Sequence, residues 1–404
     1  MSTCPDRIWR RRDFLRWAGT AGAAAGVAGA AAAATLPGGR LLTGTFPVVA
    51  FADPAPPPGA AGVIGVAEAG GILRLDANEN PLGPSPAARR AIQEAIPDGN
   101  RYPIAEREQL IDALAALHGC DRRRILPGCG STELLRACMA ALLMGGGRLV
   151  TAEPAYEDPF DYSRPFGVKV TRVPVDAEGA HDLAAMEREA REAGVIYICN
   201  PNNPTGTIVD GKALADFVRR VGRRATVIVD EAYHDYVADP RHASMIPLID
   251  EDVRLIVTRT FSKIHGLAGL RLGYALGGAR LMEQVGEHMT FAGASVLAVR
   301  AALASLQDRA FTDQCRKENA AVRERLSAAL VARGFPVFVS SANFVMFRLG
   351  TDVRAFIPAM AQRGVRVGRP FPPLSEHCRV SLGTAAQIDR FLSEFDSWRQ
   401  AAAA

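Results

Sequence analysis

Only four lysines stand in this 404-residue chain, Lys169, Lys212, Lys263 and Lys317, against 43 arginines. In so arginine-rich a sequence, a lysine kept where an arginine would serve as a cation points to a need for an amine that can lose its proton. Lys263 closes Thr260-Phe261-Ser262-Lys263, just beyond the strand-like run Leu255–Thr258, and strand ends of an α/β sheet are where ligands gather. An amine there can form a Schiff base with an aldehyde, which a guanidinium cannot. Asp230 ends the apolar run Thr226–Val229, with Tyr233 three residues on. A carboxylate so placed can pair with a protonated pyridine nitrogen. Asn200-Pro201-Asn202-Asn203-Pro204-Thr205-Gly206 makes a rigid turn after another strand-like run, Val195–Cys199. Gly128-Cys129-Gly130-Ser131-Thr132-Glu133 opens a helical segment, which offers free backbone N–H groups to an anion. Each alone has a plainer reading: a solvated surface lysine, a helix N-cap aspartate, a turn, a loop. The glycine run is neither a dinucleotide fingerprint, because Glu133 stands where the third Gly belongs, nor a P-loop.

Together, and in this order on successive strand ends, these segments resemble the fold-type I pyridoxal-phosphate aminotransferases, and most closely the histidinol-phosphate aminotransferase family. The resemblance spans about residues 73–385. Its most specific parts are Asp76-Ala77-Asn78-Glu79-Asn80-Pro81-Leu82-Gly83-Pro84, Arg101-Tyr102-Pro103, the Asn203 turn, Asp230-Glu231-Ala232-Tyr233, and the run from Ser262-Lys263 to Arg271.

The resemblance implies pyridoxal 5'-phosphate as cofactor, with Lys263 as its Schiff-base lysine and proton carrier and Asp230 on the ring nitrogen. It puts Asn203 and Tyr233 on the ring's phenolic oxygen and Tyr156 on the ring face. Ser131, Thr132, Ser262 and Arg271 fall around the phosphate, and Tyr102 reaches it from a second subunit, so a homodimer with shared active sites is implied. Arg379, in Cys378-Arg379-Val380-Ser381, matches the substrate-anion arginine, and Asn80 falls in a segment lying over the substrate. The substrates implied are a small-molecule amino donor and 2-oxoglutarate or another 2-oxo acid, exchanged by ping-pong chemistry. Decarboxylases and C–S lyases of the same fold share this machinery, and an exported non-catalytic relative is a third reading. His265, two places from Lys263, is expected in the core.

To position these residues the chain must supply a sheet. Short β-rich runs at Arg148–Ala152, Val168–Val173, Val195–Cys199, Thr226–Val229, Leu255–Thr258 and Leu272–Leu276 alternate with helical stretches such as Ile104–Leu117, Ser131–Leu143 and Asp210–Val221. Such alternation predicts an α/β fold, a mainly parallel sheet with helices on both faces. After Arg280 the pattern changes to a long helical region and three short strands, which predicts a smaller α+β domain. The expected divisions are an N-terminal arm or part of the small domain at 53–100, a large cofactor domain at 101–285 and a small domain at 286–404.

Composition sets the remaining bounds. With 48% hydrophobic and 22% charged residues the chain is neither disordered nor a multi-span membrane protein. Its net charge of +4 comes from residues 1–52, which hold six arginines and two aspartates; the rest balances at 41 basic and 41 acidic groups. Nothing basic is left to bind nucleic acid. Arg11-Arg12-Asp13-Phe14-Leu15-Arg16, an Ala/Gly-rich stretch and Ala50-Phe51-Ala52 resemble a cleavable twin-arginine signal, so residues 1–52 are expected to be read by the Tat export machinery. That predicts a periplasmic protein, the alternative being cytoplasmic. The six other cysteines are scattered without CxxC spacing, read as buried small hydrophobes and indicate no metal site.

Overall fold

The computed structural model describes residues 71–403; the expected signal, residues 1–52, lies outside them. The strands in chain order are β1 (Leu73–Leu75), β2 (Ile125–Gly128), β3 (Arg148–Glu153), β4 (Lys169–Pro174), β5 (Val195–Cys199), β6 (Thr226–Asp230), β7 (Leu255–Thr260), β8 (Gly273–Gly277), β9 (Phe344–Arg348), β10 (Val365–Val367) and β11 (His377–Ser381). Seven form one sheet in the order β2-β8-β7-β6-β5-β3-β4, parallel throughout except for β8, which runs against both its neighbours.

Strands β5, β6 and β7 are buried along their whole length, as a sheet covered on both faces requires. Successive residues serve opposite faces. Ile196, Ile198, Val227 and Val229 join one core with Leu214 and Phe217 of the helix Gly211–Val221. Val195, Tyr197, Ile228 and Ile256 join the other with Leu134, Leu135 and Cys138 of the helix Gly130–Leu143.

A separate core belongs to the C-terminal part. There β9 and β11 pair antiparallel, and Leu73, Leu75, Phe347, Val367, Val380, Phe391 and Phe395 pack together. Its edges differ from those expected from sequence. Helix Val296–Gln307 puts Ala298, Val299, Ala301 and Ala302 into the core of the large sheet, although the small domain was expected to begin at 286. The stretch read as an N-terminal arm or part of the small domain reaches both cores: β1 pairs in parallel with β10, placing Leu73 and Leu75 in the small core, while Ala88 of helix Pro86–Ala95 packs in the large one. Hydrophobic periodicity finds a helix but does not say against which of two cores its face lies.

Candidate active site

The C-terminal ends of β5, β6 and β7 lie side by side, in register Cys199↔Asp230↔Thr258. Asp230 is buried at the middle one. Its Oδ2 accepts from the Tyr197 hydroxyl at 2.9 Å and its Oδ1 from Thr258 Oγ1 at 3.0 Å. Burial pushes its carboxyl up, and these two bonds pull the other way. Among the described residues no cation forms an ion pair with it; the Lys263 charge acts on it without one.

Lys263 follows β7 by three residues and is half-buried. Its Nζ donates to the Asn78 carbonyl at 3.1 Å and lies 5.5 Å from the centre of the Tyr233 ring. Burial, with the positive Arg379 and Arg271 nearby, brings its ammonium down to about 8, against the pull of Glu79 and Asp230. Tyr233 is buried edge-on to Phe344, its hydroxyl accepting from Asn78 Nδ2 at 3.1 Å. Burial raises that phenol above its usual range.

The helix Gly130–Leu143 begins against Arg271. Glu133 holds that turn, Oε2 accepting from Cys129 N at 2.6 Å and Oε1 from Thr290 N at 3.0 Å. Gly130 has φ +76°, and a Cβ on it would stand 2.5 Å from Arg271 Nη2. A Cβ on Gly273 would stand 2.5 Å from the Ser131 amide. Two glycines thus let strand, helix start and guanidinium converge, with Arg271 Nη1 also 3.4 Å from Ser262 Oγ. Backbone amides, two hydroxyl residues and a guanidinium at a helix N-terminus form a phosphate cradle.

Across the pocket stands Arg379 of β11, 6% exposed. Its Nη1 donates to Asn203 Oδ1 and its Nη2 to the Asp76 carbonyl, both at 2.6 Å. Burial brings its guanidinium down to about 10, Arg369 adding to the effect and Tyr233 opposing it.

Ser131, Thr132, Tyr156, Asn203, Asp230, Tyr233, Ser262, Lys263, Arg271 and Arg379 all line one cavity of about 360 Å³. Two residues named from sequence do not. Tyr102 is 74% exposed and meets Phe291 edge-on at 6.1 Å. Asn80 is buried and fully engaged: Nδ2 donates to the Ile264 carbonyl at 2.8 Å and Oδ1 accepts from Leu82 N at 3.0 Å. It shapes the segment, whose neighbouring residues Asn78 and Glu79 line the cavity. His265 turns away as expected, its Nδ1 2.7 Å from Ser305 Oγ and its ring on Phe261.

Sequence reasoning missed Arg369, Cys199 and Thr260 on the cavity wall, and Tyr197 and Thr258 behind Asp230. Tyr197 had a signal, since a tyrosine inside an otherwise apolar central strand needs a partner for its hydroxyl.

A sequence profile described as aminotransferase class I and II matches residues 71–395. An aromatic amino acid aminotransferase of Thermobifida fusca is 37% identical over 329 residues, covering 80% of this chain and 89% of that one. Histidinol-phosphate aminotransferase 2 of Methylococcus capsulatus is 35% identical over 334 residues, covering 80% and 90%. The crystal structure of histidinol-phosphate aminotransferase from Sinorhizobium meliloti, in complex with pyridoxal-5'-phosphate, superposes with a TM-score of 0.75 at 28% identity, over 80% of this chain and 89% of that one.

The residues present fit that cofactor. The glycine-opened cradle suits a phosphate, the buried Asp230 has no ion pair among the described residues and suits a protonated ring nitrogen, and an amine with a lowered pKa lines the same cavity. The chain belongs to the class I and II aminotransferases, with the fold-type I architecture and pyridoxal 5'-phosphate as its cofactor.

Proposed function

We propose that this protein transfers an amino group by ping-pong exchange between an anionic amino donor and a 2-oxo acid such as 2-oxoglutarate. The observation that carries the reading is one cavity lined together by Lys263, Asp230, Arg271 and Arg379.

Bound there, the cofactor supplies an electron-withdrawing ring that stabilises negative charge at the donor's Cα. Lys263 would hold it covalently and, once displaced, would take and return the Cα proton. An amine with a pKa of about 8 is neutral in about one molecule in ten at pH 7, enough for a base near neutrality. Asp230 would keep the ring nitrogen protonated, and that positive charge would favour the carboxylate that burial disfavours. Asn203 and Tyr233 would hold the phenolic oxygen, and Tyr156 would cover the ring face. Ser131, Thr132, Ser262 and Arg271 would grip the phosphate. Arg379 meets the donor's anion with two parallel N–H groups, exchanging its bonds to Asn203 and Asp76 for it.

The reading includes a homodimer in which Tyr102 completes the partner's phosphate site; an aromatic residue 74% exposed beside the partly exposed Phe291 supports it. It also includes recognition of residues 1–52 by the Tat machinery and a periplasmic location, supported by the twin arginines alone. Export of a folded protein is useful where a cofactor must be loaded before crossing.

The test follows the visible absorbance of the loaded protein as amino donors are added singly, among them glutamate, aromatic amino acids, histidinol phosphate and phosphothreonine. Loss of the band, restored by 2-oxoglutarate, is expected with at least one donor. A band that shifts with donors but is never consumed would overturn transamination.

A further inference from the structure

Two arginines line the substrate side of the cavity, Arg369 and Arg379, and they lie against the same ring. Phe371 is buried, with the Arg369 guanidinium 4.3 Å and the Arg379 guanidinium 4.7 Å from its centre. Such a pair would together answer a doubly charged anion. Their partners differ, however. Arg379 donates to two neutral oxygens, Asn203 Oδ1 and the Asp76 carbonyl, and among the described residues no carboxylate lies within ion-pairing distance of it. Arg369 donates from Nη2 to the Glu157 carboxylate and from Nη1 to the Pro370 carbonyl at 2.9 Å. Glu157 follows Tyr156 on the loop after β3, so the large unit supplies the acid and the small unit the base. Of the other acids on this side, Glu79 is taken by Arg74 at 3.2 Å, and Asp76 acts on Arg379 from beyond ion-pairing distance.

Resting on the reading of Arg379 as the substrate-anion arginine, we propose that Glu157 is a positioning residue that sets the substrate class. By holding and neutralising Arg369 it leaves Arg379 as the one arginine of the pair without an ion-pairing carboxylate, matched to a single carboxylate, and so disfavours a phosphate monoester.

A phosphate dianion at Arg379 would bring a second negative charge to a wall whose other arginine, Arg369, is already held by Glu157. Charge balance separates these ligands even though both suit the fork of a guanidinium. The Glu157 and Arg369 side chains are 31% and 51% exposed, so water and salt screen the pair and the discrimination is a ratio rather than a prohibition.

Two inert ligands sharing a ring and a two-carbon arm isolate the effect: 3-phenylpropionate and 2-phenylethyl phosphate, titrated calorimetrically into the cofactor-loaded full chain at pH 8. The native protein is expected to bind the carboxylate about tenfold more tightly. Glu157→Gln should tighten phosphate binding about tenfold while moving carboxylate binding less than about threefold, and Glu157→Asp should restore the native preference. That preference should narrow as pH falls through the phosphate's second ionisation, near 6. Phosphate binding as tight as carboxylate in the native protein, or an equal change for both ligands in Glu157→Gln, overturns the proposal. Arg379→Ala is the control on the underlying reading: unchanged carboxylate affinity there would refute the role of Arg379 itself. Neither ligand reacts, so these affinities stand apart from whether the protein transaminates.

Discussion

Arg379 Nη1 donates to Asn203 Oδ1 at 2.6 Å, so the buried arginine of β11 holds the turn that follows β5. The proposed anion site and the proposed cofactor site are one hydrogen bond apart. Removing the guanidinium should be felt mainly by the substrate. Arg379→Ala is expected to raise KM for a carboxylate donor by about 10²-fold or more with the cofactor still bound, and Arg379→Lys to recover part of this, since it keeps the charge and loses the fork. Steady-state kinetics with the cofactor absorbance as loading control checks it.

Lys263→Ala should abolish the covalent cofactor adduct trapped by borohydride, read by intact mass. In the native chain, freshly stripped of cofactor, the rate of adduct formation should follow the neutral amine. It should rise about tenfold per pH unit below 8 and flatten above, because the folded-state pKa is lowered to about 8. A midpoint near 10 would mean that burial and Arg379 do not act on this amine.

Asp230 makes a prediction with two signs. Its folded-state pKa is raised, so the folded chain binds more protons than the unfolded one between the ordinary carboxylate value and the raised one. Stability contributed by this group is therefore lost as pH rises through that window, and at neutral pH the ionised form weakens the cofactor-free fold. Asp230→Asn should cost activity heavily, about 10³-fold, yet raise the melting temperature of the cofactor-free protein, roughly 1–2 °C. Scanning calorimetry beside turnover assays reads both.

Gly130→Ala should lower cofactor affinity by at least about tenfold. Its Cβ would meet Arg271 Nη2 at 2.5 Å with the backbone at φ +76°, so the guanidinium must leave the cradle or the turn must open. Equilibrium titration with pyridoxal 5'-phosphate measures it, and titration with pyridoxal, which has no phosphate, should show a much smaller difference.

What could be read before the fold was known is largely what is local. Asp230, Asn203 and Lys263 announce themselves because each sits within a few residues of an apolar run whose end fixes its position. Asn78 and Asn80 lie two apart in one irregular segment, and nothing local tells which of them faces the cavity. That is decided by the Ile264 carbonyl and Leu82 amide claiming Asn80, and by Tyr233 and Ser381 claiming Asn78. Pairing of β1 with β10 was likewise hidden: three residues carry little pattern, and their partners lie almost three hundred positions away. Arg369 is one arginine among 43, and only the fold sets it apart, by bringing it to the cavity wall against Phe371 and Glu157.

The route of the chain between β1 and helix Pro86–Ala95 has a mechanical consequence. That strand belongs to the small core and that helix to the large one, so the ten residues between them are a strap joining two bodies; a second joins them at Asp308, between helices Val296–Gln307 and Arg309–Ala332. The first strap is also the cavity wall, carrying the Asn78 carbonyl that holds Lys263 and the Asn80 amide that holds Ile264. Gly83 lies so close to Gly266 that a Cβ on the latter would stand 2.1 Å from its oxygen. One short segment thus hydrogen-bonds Ser381 and Asn343 beside the small core and Lys263 and Ile264 beside the large one, so the reactive amine is anchored to both cores at once.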